Sequence, residues 1–386
     1  MEDYQPRFSR NSLNLLMLVT VGLIVLFNLP MLLAQREAMA LPKPATLNIN
    51  TWQTDSGAQV WFSPYAAEDL HLELWYRAGY QFDHPEKASL LAQLIKWQSK
   101  KLKLDSKVSL DQDFIKISLN LSNQGATLNR QIEQLTQLLY SPQLPTQAIE
   151  TIRANHLSSA SDELRHQLYG DHEYGSLIHH DRLNSITAAE LAQYHQGYMH
   201  PRRLHVALVG DLTMATARVL MERILPQSTE IAATQKTAPS LGVNGIQLDN
   251  LLIVNWPKLD DAQSDLDMAA SVALLKEQYG ELVKWQPGLS NSLFRLQISR
   301  SDLNSNVLQG EWDSDMMQAT KRQLALKWIR QTHAANSLSR HLIALNAYGL
   351  PQDYMHKQIV RLEEFDKRQW QRALKTLLAP AVADNS

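Results

Sequence analysis

The feature that most restricts the fold of this chain is an apolar run near its amino terminus. Residues 15–34 read LLMLVTVGLIVLFNLPMLLA and contain no charged side chain. A helix of about 20 apolar residues can cross the hydrocarbon core of a bilayer. A run that is apolar on every side is not typical of a surface helix in a globular protein. The run therefore predicts a transmembrane anchor, preceded by a cytoplasmic tail of residues 1–14 and followed by a spacer of residues 35–46.

Flanking charges predict the orientation of this anchor. Arg7 and Arg10 precede the run, and basic residues favour the cytoplasmic side of a membrane. We therefore expect a single-pass protein of the inner membrane with the bulk of the chain in the periplasm. The alternative is a cleaved signal peptide, because Ala38 and Ala40 resemble the small residues of a cleavage site. Cleavage would release the chain into the periplasm.

Composition narrows the chemistry that the chain can perform. It contains no cysteine, which excludes disulfides and thiolate metal sites, so that a metal would need histidine or carboxylate ligands. The net charge of -2 over 386 residues gives no indication of a nucleic-acid partner. The sequence also lacks a glycine-rich phosphate loop and a serine nucleophile elbow. We predict no cofactor.

Alternating apolar residues predict the strands of a sheet. In LHLELWYR, residues 70–77, every second side chain is large and apolar, which is the period of a strand with one face on a core. The segment FIKISLNL at 114–121 follows the same period. NINTWQ at 48–53 and AQVWFS at 58–63 flank Ser56-Gly57 and predict a hairpin.

Helical patterns alternate with these strands and divide the chain into two halves. Helices are predicted over 87–97, 126–140 and 144–168 and from Thr187, where TAAE forms a capping box. The second half contains predicted strands in NLLIVNW and LFRLQIS, a helix near 264–284, and helices over most of 312–379.

The polar stretch at 226–245 is typical of a linker between these halves. We therefore predict an α+β protein with an N-terminal half at 47–225 and a shortened, related C-terminal half at 246–380. Each half is expected to be an α/β sandwich, an antiparallel-rich sheet with helices packed on one face.

Three segments resemble a known enzyme family. Residues 57–97, from GAQVWFS to LLAQLIKW, and residues 169–213, from YGDHEYG to ALVGDLT, resemble the insulinase and pitrilysin type of zinc peptidase. Residues 312–380 are similar to the closing helices of that family. The resemblance implies paired α+β halves and a zinc site on the helix that follows LWYRAGY. Zinc is bound in the family by the inverted motif H-x-x-E-H.

The motif positions have lost this chemistry. Counted from Arg77-Ala78-Gly79 without gaps, residues 92–96 are Ala92, Gln93, Leu94, Ile95 and Lys96. Alanine and isoleucine carry no donor atom, and a lysine ammonium repels a divalent cation. The resemblance therefore implies that the chain has no catalytic residue and no metal ligand.

Other candidate residues are assigned structural roles. Glu150 lies near the position of the third zinc ligand and is interpreted as a solvated helix charge. Tyr279, Arg295 and Arg300 occupy the region where the family holds its substrate, but without its motif, and are interpreted as surface residues. A loop is predicted at His179, His180 and Asp181, where adjacent side chains should point apart and not share a metal. His172 of the H-x-Y-G segment is interpreted as structural. Separate predicted elements carry the remaining candidates, which only folding could bring together: His166, His195, His200 and His205.

A basic run follows the degenerate motif. It consists of Lys96, Lys100, Lys101, Lys103 and Lys107. Such a run predicts a solvated face. The alternative is a docking surface for an acidic partner or for anionic lipid, since clustered charge steers encounter.

These observations favour a membrane-anchored, noncatalytic relative of the zinc peptidases. The resemblance implies a partner, because family members work as pairs in which a degenerate half completes the chamber of a zinc-bearing one. A periplasmic scaffold or envelope assembly factor unrelated to proteolysis is the alternative. An active hydrolase with an unrecognised site is the third hypothesis.

Overall fold

The structure is a computed structural model, and it describes most of the chain beyond residue 40. The described residues are 41–82, 84–155, 160–225, 239–248, 250–258, 262–297 and 314–382, apart from 43 and 45, together with Met17 and Asp260. The predicted anchor at 15–34, apart from Met17, most of the linker at 226–245, and Arg300 lie outside them. Within the described ranges, no helix is long and apolar enough to cross a membrane.

The described strands form two sheets. Their bounds are β1 Asn50–Gln53, β2 Gln59–Pro64, β3 Asp69–Tyr76, β4 Ser106–Leu110, β5 Ile115–Ser122, β6 Leu204–Gly210, β7 Asn244–Leu248, β8 Leu251–Pro257, β9 Val283–Gln286 and β10 Asn291–Leu296. The first sheet has the order β1-β2-β6-β3-β5-β4 and the second has the order β7-β8-β10-β9. The second sheet is thus the smaller one.

The described α-helices alternate with the strands along the chain. Their bounds are α1 Pro85–Lys101, α2 Gly125–Tyr140, α3 Thr146–Ala154, α4 Ala160–Tyr169, α5 His180–Ser185, α6 Ala188–Tyr198, α7 Met214–Ile224, α8 Gln263–Tyr279, α9 Ser314–Gln331, α10 Ala335–Tyr348, α11 Tyr354–Glu364 and α12 Lys367–Val382. The mixed α+β class predicted from the sequence is confirmed.

Local patterns predicted β1, β2, β3 and β5 of the first sheet. β1 and β2 form the predicted antiparallel hairpin, and β6 lies between β2 and β3, parallel to β2 and antiparallel to β3. Leu70, Leu72 and Leu74 are fully buried on the same face as the alternate apolar residues of β5. This outer face packs against α1, α2 and α7 in one core.

The prediction that helices pack on only one face of each sheet is wrong for the first sheet, whose inner face is covered as well. α10 from the C-terminal half covers it, and Leu338 and Leu342 pack there against Trp61 and Trp75. Glu73, which the period of β3 assigned to the solvated face, is 3% exposed. The prediction failed because α10 lies far away in the sequence and leaves no local signal.

The second sheet is covered in the reciprocal way. α8, α9, α11 and α12 pack on one face of it. On the other face, Leu164 and Leu168 of α4, a helix of the N-terminal half, pack near Ile253 and Leu293. One helix of each half therefore packs on the sheet of the other half: α10 on the first sheet and α4 on the second.

Several element boundaries differ from the predictions. The predicted helix at 144–168 is the two helices α3 and α4, and the predicted loop at His179-His180-Asp181 is the start of α5. Gly280 has a φ of +59° and ends α8 before β9, so that the helix predicted to reach residue 284 stops at Tyr279. β4, β7 and β9, of four or five residues each, were not predicted; β9 starts at Val283, inside the range predicted to be helical.

Candidate functional site

The helix that would carry the zinc motif is intact. α1 starts with Pro85 at its first position, which suits the fixed φ of proline. Glu86 is fully buried beside it and accepts a hydrogen bond from the backbone N–H of His179 (2.9 Å). The carboxylate thus fixes the start of α1 to the start of α5, so that Glu86 has a scaffold role.

One face of α1 borders a cavity of about 560 Å³ between the two halves. Ser89, Ala92, Gln93 and Lys96 recur at the spacing of a single helix face and line one wall. The other walls are the edge strand β4 with the loop after it, helix α4, and the face of the second sheet on which α4 packs. The volume falls in the range of about 300–1,000 Å³ that is usual for ligand sites.

The donor set at the motif positions does not suit zinc. Ile95 is 1% exposed and belongs to the core behind α1, while Ala92 and Lys96 line the cavity. Neither alanine nor isoleucine can donate to a metal, and an ammonium repels one. Glu150 is exposed on α3, where it was expected to be a solvated charge. Among the described residues, no three histidine or carboxylate side chains are grouped so that they could hold a metal.

The cavity also borders an open sheet edge. β4 pairs with β5 on one side, and within the described residues no strand pairs with its other side. Val108, Ser109 and Leu110 of this edge strand line the cavity. An exposed edge can accept an added extended strand through its main-chain groups. The edge of β4 therefore presents main-chain groups beside the cavity that an extended polypeptide could pair with.

Asp113, which the sequence analysis did not single out, joins the two halves beside the cavity. It is 2% exposed and accepts hydrogen bonds from the Tyr174 hydroxyl (2.6 Å), from the backbone N–H of Leu289 (2.9 Å) and from the Gln81 amide. The Tyr174 oxygen in turn accepts the N–H of Ser290 (3.1 Å). Burial, and after it the charge of the neighbouring Asp111, raise the pKa of Asp113 to about 7.

Two glycines of the family motifs are required by close packing. A Cβ at Gly79, in the RAG segment, would lie 2.4 Å from the backbone of Asp113. A Cβ at Gly175, in the H-x-Y-G segment, would lie 2.3 Å from the carbonyl oxygen of Gly170. His172 uses both ring nitrogens nearby, since Nδ1 accepts from the N–H of Tyr174 (3.1 Å) and Nε2 donates to the carbonyl of Pro239 (2.7 Å). These motif residues hold the scaffold together.

The remaining histidines do not converge on the cavity. Burial lowers the pKa values of His195 and His205 to about 4, so both are neutral at pH 7. His205 accepts from Nε of Arg77 (3.0 Å) and donates to Oδ1 of Asn346 on α10 (3.0 Å). The other two are similarly engaged: His200 caps the turn before β6, and His166 bonds the carbonyl of Gly175.

The structure separates the other candidates. Tyr279 was interpreted as a surface residue, but it ends α8, is half-buried and packs against the second core. Arg295 was interpreted as a surface residue, but it lies on β10 and lines the cavity. Within the basic run Lys100, Lys101, Lys103 and Lys107 are exposed away from the residues that line the cavity, and Lys96 alone of the run lines it. No signal in the local sequence distinguishes Arg295, because its place depends on the approach of the two halves.

Comparisons with known proteins give matches among solved structures. No model of a known protein family and no curated protein matches the sequence. The inactive domain of a peptidase M16 from Pseudomonas fluorescens matches with a TM-score of 0.67 and 20% identity, over 86% of this chain and 95% of that one. The periplasmic protease PqqL from Escherichia coli matches with a TM-score of 0.64 and 15% identity, over 88% of this chain and 47% of that one.

The first half of PqqL alone gives a similar result. It matches with a TM-score of 0.63 and 14% identity, over 88% of this chain and 91% of that one. At these identities the likeness establishes the fold and not the activity. The family resemblance seen in the motifs is thereby confirmed for the architecture: the chain has the fold of an insulinase-type M16 peptidase half-molecule.

Proposed function

We propose that this protein is a noncatalytic, membrane-anchored partner subunit of a zinc peptidase homologue. The observation that carries the proposal is a contrast within one helix. α1 keeps its entry, its packing and its cavity, whereas the positions that would hold zinc carry side chains that cannot bind it. A binding role needs the cavity and the scaffold but does not need the metal.

The matches to PqqL support pairing. The chain covers 47% of PqqL, which is named as a periplasmic protease, and 91% of the first half of that protein. A half with this fold could supply one wall of a chamber whose other wall carries zinc. The inner face of the first sheet is not the pairing surface, because α10 covers it.

Two measurements test the noncatalytic part of the proposal. The full chain, purified in mild detergent, should contain well under one zinc per chain by elemental analysis after dialysis. It should also hydrolyse no peptide by itself. Stoichiometric zinc, or peptide hydrolysis that a chelator abolishes, would show instead that the chain is an active hydrolase.

Affinity purification tests the pairing. A carboxyl-terminal tag should recover a homologue that carries H-x-x-E-H, and peptidase activity should require both chains. A homologue that is fully active alone would contradict the partner role. Recovery of envelope proteins without any such homologue would favour a scaffold role unrelated to proteolysis.

The anchor can be tested separately. Protease added to spheroplasts should digest the folded halves and leave the amino-terminal segment protected by the membrane. The mature protein should begin at its original amino terminus in mass spectrometry. A start at Leu41 would establish that residues before it are a cleaved signal peptide.

A further inference from the structure

The cavity wall formed by the second sheet carries two like charges side by side. Arg295 on β10 and Lys284 on β9 are direct cross-strand partners, and both line the cavity. Ile253 on β8 is the partner of Arg295 on its other side and lines the cavity too. Like charges directly opposite each other destabilise a sheet. Two positively charged residues therefore lie side by side on this wall of the cavity.

The facing walls add positive charge. Lys96 lines the cavity from α1, at the position where the family would have a metal-binding histidine, and Arg165 lines it from α4. Arg165 is held in place, since its guanidinium donates to the carbonyl of Ser176 (3.1 Å) and lies 5.0 Å from the centre of the Tyr80 ring. Four cationic side chains thus line the space from three sides.

The negative charge in the lining is already engaged. Asp111 is the single carboxylate among the described lining residues. It forms an ion pair with Lys116 and accepts the backbone N–H groups of Asp113 (2.9 Å) and Phe114 (2.8 Å). Within the described part of the chain, Lys96, Lys284 and Arg295 form no ion pair. A negatively charged ligand would compensate these three cations, which no carboxylate among the described residues pairs with.

We propose that this cavity binds an acidic, extended segment of a polypeptide, with Lys96, Lys284 and Arg295 recognising its carboxylates. Apolar side chains line the cavity together with the cations, among them Leu168 and Leu293, so the lining suits a chain that combines acidic and apolar residues. The cavity also runs beside β4, whose free edge can accept main-chain hydrogen bonds. The inference rests on the proposed noncatalytic binding role and adds the class of ligand.

Fluorescence anisotropy with three labelled peptides tests the proposal on the full chain in mild detergent. The probes alternate valine with glutamate, with serine or with lysine over the same length. The glutamate peptide should bind about tenfold or more tightly than the serine peptide, and the lysine peptide should bind least well. Salt should weaken the glutamate peptide selectively, because exposed charges are screened over about 10 Å at 0.1 M ionic strength.

The variant Lys284→Glu separates ligand binding from folding. It converts a like-charge cross-strand pair into an opposite-charge pair with Arg295, so the unfolding midpoint should rise slightly. Affinity for the glutamate peptide should nevertheless fall about tenfold. Lys375→Glu, the same change on the exposed face of α12, is the matched control and should alter neither quantity. Lys96→Gln, at an exposed position of α1, should give a smaller loss of roughly threefold.

The outcomes separate this proposal from the broader one. Equal binding of the glutamate and serine peptides, unchanged by Lys284→Glu, would refute the charge preference and leave a general binding role standing. If no peptide binds, both the acidic ligand and the binding role of the cavity fail. If inorganic phosphate displaces the glutamate peptide at equal concentration, the site recognises small anions and not polypeptides.

Discussion

Replacing Tyr174 with phenylalanine should loosen the junction of the two halves. The hydroxyl donates to Oδ1 of Asp113 at 2.6 Å and accepts from the N–H of Ser290 at 3.1 Å, and Tyr174 is 2% exposed. Tyr174→Phe therefore removes the hydroxyl that accepts from the N–H of Ser290 and that donates to the buried carboxyl of Asp113. Each buried group left unsatisfied costs about 1–3 kcal/mol. We expect a loss of about 2–4 kcal/mol in the free energy of unfolding, since Leu289 and Gln81 still donate to Asp113.

Tyr140→Phe is the matched control for this change. The Tyr140 hydroxyl oxygen is buried and has no hydrogen-bond partner among the described residues. Removing it should change stability by less than about 0.5 kcal/mol or stabilise slightly, because a buried hydroxyl without a partner contributes nothing favourable. The assay is urea unfolding of the full chain in mild detergent, followed by tryptophan fluorescence. Equal midpoints for the two variants would refute the assignment of Tyr174 and Asp113 as the junction.

Three further changes probe the same scaffold. The pKa of Asp113 is raised in the folded state, which therefore binds the proton more tightly than the unfolded chain does. The stability of the wild type relative to Asp113→Asn should therefore fall as pH rises from about 4 to 7, by on the order of 4 kcal/mol in total. A difference in unfolding midpoints that stays constant across this range would show that Asp113 keeps an ordinary pKa. Gly79→Ala places a Cβ against the backbone of Asp113 and should lower the free energy of unfolding, measured in urea, by about 1–3 kcal/mol or more. The control is Gly125→Ala in the first turn of α2, where the added Cβ meets open space, and this change should be neutral or stabilising. Lys103 follows α1 with a φ of +57°, so Lys103→Gly should stabilise by about 1 kcal/mol, and an unchanged thermal midpoint would mean that the left-handed conformation carries no strain.

Local patterns in the sequence predicted the elements whose signal is local. The alternation in residues 70–77 predicted β3, and the capping box at Thr187 is present with both of its hydrogen bonds. The helical pattern over 87–97 predicted α1, and Ala92 and Lys96 of that helix line the cavity, although the cavity itself was not predicted. These features depend on neighbours within about one turn of helix or one strand, so a single sequence contains the information.

The features that were missed depend on contacts between the halves. Trp75 and Glu73 were placed on a solvated face because no residue near them in the sequence indicates that α10 packs there. Arg295 was taken for a surface residue because the cavity exists only where the second sheet approaches α1. Asp113 lies in a short loop of ordinary composition, and its partner Leu289 is 176 residues away. Periodicity cannot report such distances.

The reciprocal covering of the sheets has a consequence for how the protein is made. Asn346 of α10 donates to the carbonyl of Val206, a contact that spans 140 residues. Between the end of β6 at Gly210 and the end of α10 at Tyr348, a ribosome must add 138 residues (348 minus 210). At about 5–20 residues per second this takes roughly 7–28 s. During that time the apolar inner face around Trp61 and Trp75 has no cover, so we expect the nascent chain to need a chaperone until its last third has been synthesised.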